Sequence, residues 1–579
     1  MRDEGEKVFP ATIASFGISL GYLYYIDQKN KFRAETKISF EQVDHEIESF
    51  LGAVEHVKNQ LDEMRLHIVR QLGENHAYLV EAQRLLLKDP QLIDKVKTIV
   101  SVERIDALGA IRRAFQYFYD IFDRNRDPYY RERFSDIRFI QDRLVQFIEG
   151  ESSKRYTALD EDAIVLARDM SPLELIQFTD SQVNGIVLER GGKTSHLCIM
   201  ARSLGIPCLL GIEFPKRYSQ GTKVILDAKD GLFIVNPEGD TWSYYEKKKC
   251  EFSKKEDELL KNRFHLAKTK DGQRVKLLGN LDFLNEITSI KKNGAEGIGL
   301  VRTETLFLDL PFPPSEESQL SRYQKIISSV SPDDVVIRLF DVDLKRLNDH
   351  HKEENPVLGL RGIRLLIKFE SVIRTQIRAI LRASYNANVS VLIPMVMSVE
   401  EICFVSRVID SEKQNLKNLH LDFNDSIRLG AMIELPSAAM ISNQLAKEVS
   451  FFSIGTNDLI QYALAVDRSN ASLSNFNHSM HPAILRFIIF VAQEAHRNGI
   501  EVGVCGEMAN DPMMTPLLLG AEIDFLSMSL GSVPIIKRAI SEFTVQESKH
   551  CLDKFLSIDD VVEAEQVLKT WHLKHSRVL

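Results

Sequence analysis

The chain has 579 residues, too many for one ordinary domain and enough for three or four, each with its own core. Its composition is that of a globular protein, 44% hydrophobic, and 73 Lys and Arg against 82 Asp and Glu leave a net charge of −9, which argues against general nucleic-acid binding. No apolar run approaches the roughly 18 residues of a membrane span, and the six cysteines lack C-x-x-C or zinc-type spacing, so reduced thiols in the cytoplasm are expected.

The first residues include Asp3, Glu4 and Glu6 instead of a signal peptide's basic-then-apolar order, so export is not expected. Ala14 to Ile26 alternates apolar residues with Gly17 and Gly21 and reads as one or two strands, too short to fold alone. From Phe40 to Ile148 the period changes. Ile47, Phe50, Leu51, Val54, Val57, Leu61, Met64, Ile68 and Leu72 fall three or four apart, and similar stripes follow Asp89-Pro90 and Asp127-Pro128, predicting a bundle of antiparallel helices. Strand-like runs return at Ala163–Ala167, Gly185–Leu188, Lys223–Asp227 and Gly231–Val235. The N-terminal half therefore reads as a small α/β domain, residues 1–26 and 149–240, with a helical bundle inserted at 27–148. Residues 241–265, rich in Lys and Glu, predict an exposed helical linker.

Among the returning strands lies Gly191-Gly192-Lys193-Thr194-Ser195-His196, followed by apolar positions at helical spacing until Gly205-Ile206-Pro207. Two glycines allow a tight turn, and Thr194 and Ser195 are good N-cap residues, so His196 falls on a helix's first turn. There the macrodipole disfavours a second ring proton and keeps the imidazole nucleophilic, while free backbone N–H groups can hold a phosphoryl group. Gly192-Lys193-Thr194 matches the end of a nucleotide-binding loop, but the glycine required at residue 187 is Val187. A capped helix that happens to carry a histidine is the other reading these residues allow.

Residues 266–579 carry eight short apolar runs between helix-like segments: Val275–Asn280, Gly297–Arg302, Val335–Phe340, Val389–Met395, Arg428–Glu434, Phe451–Gly455, Glu501–Gly506 and Asp524–Ser529. Eight βα units predict a (β/α)8 TIM barrel, whose chemistry gathers at the carboxyl ends of its strands. Arg302, Arg338 and Asp341, Glu434, Asn457 and Asp458, and Cys505 with Glu507 fall there. Each has a structural alternative, an ion pair for the charged groups and a small buried hydrophobe for the cysteine.

The segment Gly191–Pro207 resembles the G-G-x-T-S-H-x-x-I-x-A-R-x-x-G-I-P pattern of the enzyme I family of the bacterial phosphotransferase system, and more loosely that of pyruvate phosphate dikinase and phosphoenolpyruvate synthase. Gly299–Glu304, Leu358–Arg364, Met432–Pro436, Phe452–Leu459 with Ala465–Arg468, and Val504–Glu507 are similar to the same family's donor-domain motifs, so the resemblance spans nearly the whole chain. It implies a multidomain α/β phosphoenolpyruvate–protein phosphotransferase: a swivelling phosphohistidine domain, an inserted helical domain that receives the phosphocarrier HPr, and a C-terminal barrel that binds phosphoenolpyruvate and mediates a homodimer. By the same resemblance His196 is the phosphorylated residue, with Thr194 bonded to its ring. Arg302, Arg338 and Arg468 bind phosphoenolpyruvate together with Asn457 and Asp458, Glu434 and Asp458 hold Mg²⁺, and Cys505 is the proton donor. The residue types suit that task. Guanidiniums fork onto phosphate and carboxylate, hard carboxylate oxygens suit Mg²⁺, and a thiol can protonate a departing enolate.

One departure stands out. Where the family follows its third-strand arginine with D-x-G-G-D-K, this chain reads Asp341-Val342-Asp343-Leu344-Lys345-Arg346, without glycines, and Lys345 is the candidate for the missing substrate lysine. That loop is the one feature favouring a non-catalytic regulatory relative. A dikinase or synthase needs a large ATP-binding domain, and the residues ahead of His196 are taken up by helices with no nucleotide-binding loop.

Overall fold

A computed structural model describes residues 5–26, 35–72, 78–124, 128–150, 162–171, 174–175, 178, 183–189, 196–212, 218–307, 310, 312–347, 353, 355–467, 479–558 and 560–576. The chain divides into two compact units, Met1–Glu256 and Asp257–Leu579.

In the first unit β1 (Lys7–Pro10), β2 (Thr12–Ser15), β3 (Ile18–Tyr25), β4 (Ala163–Ala167), β5 (Gly185–Leu188), β6 (Cys208–Leu210), β7 (Lys223–Asp227) and β8 (Leu232–Val235) form one mixed sheet, ordered β1-β8-β7-β3-β4-β5-β6-β2. β4 and β5 are apolar and buried along their whole length, as parallel strands covered on both faces must be. β3 and β4 are parallel neighbours, with Tyr22 opposite Ala163. Such a pair cannot be closed by a hairpin and needs a crossover. The crossover here contains α1 (Val43–Leu72), α2 (Tyr78–Lys88), α3 (Pro90–Glu103), α4 (Ala107–Arg124) and α5 (Pro128–Ile148). Their apolar stripes meet in a core that includes Phe50, Val57, Leu61, Ile111, Phe115 and Ile140. Asp89 caps α3 by accepting from the Gln91 N–H at 2.8 Å, with Pro90 in the first turn.

Two strands escaped sequence reasoning. β1 carries Pro10 at a sheet edge, where proline is tolerated but reads as a break, and β6 is only three residues long, too short to show a period. The helix expected after the double glycine is α6 (His196–Ser203). It stops as anticipated: Gly205 takes φ +67°, and the N–H of Ile206 bonds back to the Ala201 carbonyl at 2.9 Å. Leu197, Cys198, Met200 and Ala201 face the core and fix its roll. The charged stretch from 241 is helical, within α7 (Gly239–Lys261).

In the second unit all eight expected runs are strands: β9 (Lys276–Leu281), β10 (Gly297–Val301), β11 (Asp334–Arg338), β12 (Val389–Ile393), β13 (Arg428–Ile433), β14 (Phe451–Ile454), β15 (Glu501–Val504) and β16 (Phe525–Met528). They close into a parallel barrel in chain order, β16 pairing with β9. Leu278, Leu300, Val336, Leu392, Met432, Phe451, Cys505 and Phe525 fill its interior. The rings of Phe451 and Phe525 lie 6.4 Å apart and need glycines beside them. A Cβ on Gly503 would stand 2.1 Å from the Phe525 ring, and one on Gly430 2.3 Å from Phe451.

Gly503→Ala is therefore expected to overpack the barrel and to cost about 1–3 kcal/mol. The check is a lower denaturant midpoint for the barrel's unfolding transition, with unchanged slope.

Candidate active site

The barrel gathers side chains from most of its strand ends on one rim. Arg302 follows β10, Arg338 ends β11, Glu434 follows β13, and Cys505 follows β15. Asn457 and Asp458 occupy the first turn of the helix Thr456–Leu464, which begins two residues beyond β14. The loop after β11 returns through a bridge between Asp343 and Arg361, which brings the Arg361 guanidinium to the same rim.

There the charges interlock. Arg361 forks onto Asp341, Nε to Oδ1 and Nη2 to Oδ2, both at 2.9 Å. Its other edge meets Asp458, Nη1 to Oδ1 at 3.3 Å and Nη2 to Oδ2 at 3.2 Å. Arg338 is buried, donates to Glu304, and lies 3.6 Å from Asp341. Arg302 reaches Asp282 at 3.2 Å. Glu434 is buried, and its Oε1 accepts the Met395 N–H at 2.5 Å. That bond holds Met395 at φ +56°, a conformation rare for a side-chain-bearing residue. Gly362 leaves the room: a Cβ there would lie 2.9 Å from Met395 and 3.2 Å from the Asp341 carboxylate.

Burial pushes the Glu434 carboxyl well above the usual range, and the charges of Asp458 and Asp341 push it further. Burial likewise raises Glu304, against the pull of Arg338. Burial opposes the charge on Arg338 and Arg361, yet the carboxylates around them outweigh it and hold both guanidiniums above their already high values. The Cys505 thiol is pushed up to about 11, mainly by burial and also by Glu434, so it keeps its proton at neutral pH. Its carbonyl accepts from the Asn280 side chain at 3.3 Å, and Asn280 in turn accepts from Ser527 at 2.6 Å. Asn457 accepts the Glu507 N–H at 2.9 Å, which ties the β14 and β15 loops together.

Of the residues singled out from sequence, Arg302, Arg338, Asp341, Glu434, Asn457, Asp458, Cys505 and Glu507 stand at these strand ends. His196 begins α6, in the other unit, and its side chain lies outside the described residues, as do Thr194, Arg468 and the side chain of Lys345. Sequence reasoning passed over Arg361, Asp282 and Glu304. Arg361 sits in the quoted Leu358–Arg364 motif, but far from any strand end in the chain, and the bridge at Asp343 helps bring it in. The signal for Glu304 was its place two residues after Arg302.

Three guanidiniums here face five carboxyl groups, Asp282, Glu304, Asp341, Glu434 and Asp458, and burial favours the neutral form of two of them, Glu304 and Glu434. Among the described residues, Asp282 Oδ1, Glu304 Oε2 and Arg338 Nε are buried without a hydrogen-bond partner. Orphaned carboxyl oxygens beside an orphaned guanidinium nitrogen fit a divalent cation together with an anionic ligand. Among the described residues no three His, Cys, Asp or Glu side chains group to hold a metal alone. Glu434 and Asp458 fit an ion that completes its shell from substrate and water, as Mg²⁺ commonly does.

Family models of the PEP-utilising enzymes match the chain in three stretches: the N-terminal model at residues 11–133, the mobile domain at 159–231 and the PEP-binding domain at 256–545. The phosphoenolpyruvate-protein phosphotransferase of Priestia megaterium is 35% identical, over 98% of this chain and 100% of its own. Those of Bacillus subtilis (34%, over 96% and 98%) and Borreliella burgdorferi (35%, over 95% and 97%) are similar. A solved Enzyme I structure is 29% identical and aligns with a TM-score of 0.37, over 42% of this chain and 99% of that one.

The raised Cys505 thiol has a direct readout. In excess iodoacetamide at pH 8 the exposed Cys250 is expected to alkylate first, with the buried Cys505 far slower. Between pH 7 and 9 the Cys505 rate should climb about tenfold per pH unit without levelling, as the thiolate fraction does below its pKa. Peptide mass mapping checks it, and a plateau below pH 9 would contradict the assignment.

Proposed function

The chain belongs to the PEP-utilising enzyme family, and from that premise we propose that it takes the phosphoryl group of phosphoenolpyruvate onto His196 and passes it to a histidine of the phosphocarrier HPr. The observation that carries this reading is the convergence of Arg302, Arg338 and Arg361 with Glu434, Asp458 and a protonated Cys505 on one barrel rim. A substrate bearing both a phosphate and a carboxylate needs several cations, and its departing enolate needs a proton.

In this mechanism the guanidiniums fork onto the two anionic groups and hold the phosphorus for in-line attack. The neutral imidazole of His196 attacks, the bond from phosphorus to the enolate oxygen breaks, and its electron pair leaves with enolpyruvate. Cys505 gives its proton to the methylene carbon, which completes pyruvate, and the thiolate regains a proton from solvent. Glu434 and Asp458 would hold Mg²⁺, which would supply charge neutralisation for the phosphoryl oxygens. The segment bearing His196 then carries the group to HPr, received on the helices α1–α5.

The finer setting follows from the same reading. On this reading the protein is a homodimer formed through the barrel, as its family resemblance implies. No helix among the described residues is long and apolar enough to cross a membrane. All six cysteines are free, which suits the reducing cytoplasm.

Labelled phosphoenolpyruvate with Mg²⁺ is expected to give acid-labile label on the protein, which moves to an HPr-type carrier when one is added. His196→Ala should abolish incorporation while leaving the fold intact; appreciable label on that variant would refute the assignment. Cys505→Ala should slow pyruvate formation by about a hundredfold or more with little change in substrate binding. Parental turnover in that variant would remove Cys505 from the mechanism.

A further inference from the structure

Asp458 has two claimants. On the reading above it is a metal ligand, yet both its oxygens already accept from Arg361, at 3.2 and 3.3 Å. The two grips of Arg361 are unequal. Its fork onto Asp341 is shorter on both arms, at 2.9 Å, whereas the pair facing Asp458 is stretched. Nη1 has a further neighbour, the Tyr462 hydroxyl, at 3.4 Å. That hydroxyl is itself pinned, donating to the Val357 carbonyl at 2.6 Å, so it braces the loop that carries Arg361. Tyr462 and Asp458 stand four residues apart on one helix, one turn above the other.

We propose that Arg361 and the divalent cation are rival counter-ions for Asp458. In the metal-free protein the guanidinium neutralises Asp458 and keeps the carboxylates at the mouth apart. With Asp458 on the metal, Arg361 gives up the stretched contacts, stays anchored on Asp341 through Nε and Nη2, and offers the N–H groups released from Asp458 to the incoming anion. Arg361 is thus a substrate-gripping group whose availability depends on the metal. Such coupling is reciprocal: whatever holds Arg361 on Asp458 weakens the metal by the same factor. The inference rests on Glu434 and Asp458 being the metal ligands.

The test is binding of Mn²⁺, followed by its electron paramagnetic resonance signal, to the full chain without phosphoenolpyruvate. A group that merely shapes the site would weaken the metal when removed; a rival strengthens it. Arg361→Met is expected to bind Mn²⁺ more tightly, on the order of tenfold. Arg361→Gln, which keeps an amide for Asp341, should shift affinity in the same direction. Equal or weaker binding in folded variants overturns the proposal, provided that Glu434→Gln still loses the metal. If Glu434→Gln binds Mn²⁺ as the parent does, the metal assignment itself fails, which is a separate result. Should neither Arg361 variant fold, crystals of the unmodified protein soaked in Mn²⁺ decide it. Metal on Asp458 with Arg361 withdrawn supports the exchange, and metal there with Arg361 unmoved overturns it.

Discussion

Asp341, Glu434 and Asp458 share one largely buried cluster, where the charges of Asp341 and Asp458 add to the cost of ionising Glu434. Water cannot screen them there, so neighbours must, and the rest of the rim follows from that demand. Arg338 and Arg361 are held between carboxylates, and Glu434 spends one oxygen on a strained backbone N–H. Buried ion clusters of this kind are poor sources of stability, because desolvation consumes most of the Coulombic gain. Their persistence at a barrel mouth therefore reads as function rather than as a source of stability.

The barrel makes that possible by separating rigidity from chemistry. Its interior is apolar and close-packed, with Phe451 and Phe525 seated over glycines, so the strand ends sit at fixed distances whatever charges they bear. Cys505 belongs to both layers: its side chain is part of the interior packing while the next residues, Gly506 and Glu507, are already in the rim loop. A thiol in that position is kept neutral by the same burial that holds the barrel together. In the first unit the division is similar. α6 is fixed by a buried apolar face and stopped by a left-handed glycine, which leaves its first residue, His196, at the end that leads out of the sheet.

Much of the architecture could be read from pattern alone, for physical reasons. Eight buried parallel strands must each be a short apolar run, and each must be followed by a helix, so the barrel's period is written along the chain. Long amphipathic helices such as α1 and α4 repeat their stripe often enough to be unmistakable. β1 and β6 were not legible, because an edge strand with a proline and a three-residue strand carry no period. The rim was legible only in part. Arg302, Glu434 and Cys505 adjoin apolar runs and can be placed by counting, whereas Arg361 arrives through a loop without periodicity, and Asp282 and Glu304 matter only for what they touch.

The residues by themselves determined which groups are present: a histidine at a helix start, arginines and carboxylates at strand ends, a cysteine among them, and eight βα units to carry most of them. Local order follows from side-chain period and from glycine and proline, and both are written residue by residue. The pairing of charges was decided only by the tertiary structure. Which carboxylate faces which guanidinium depends on distances between segments up to about a hundred residues apart, such as Arg361 and Asp458, and those distances are set by barrel closure and loop path.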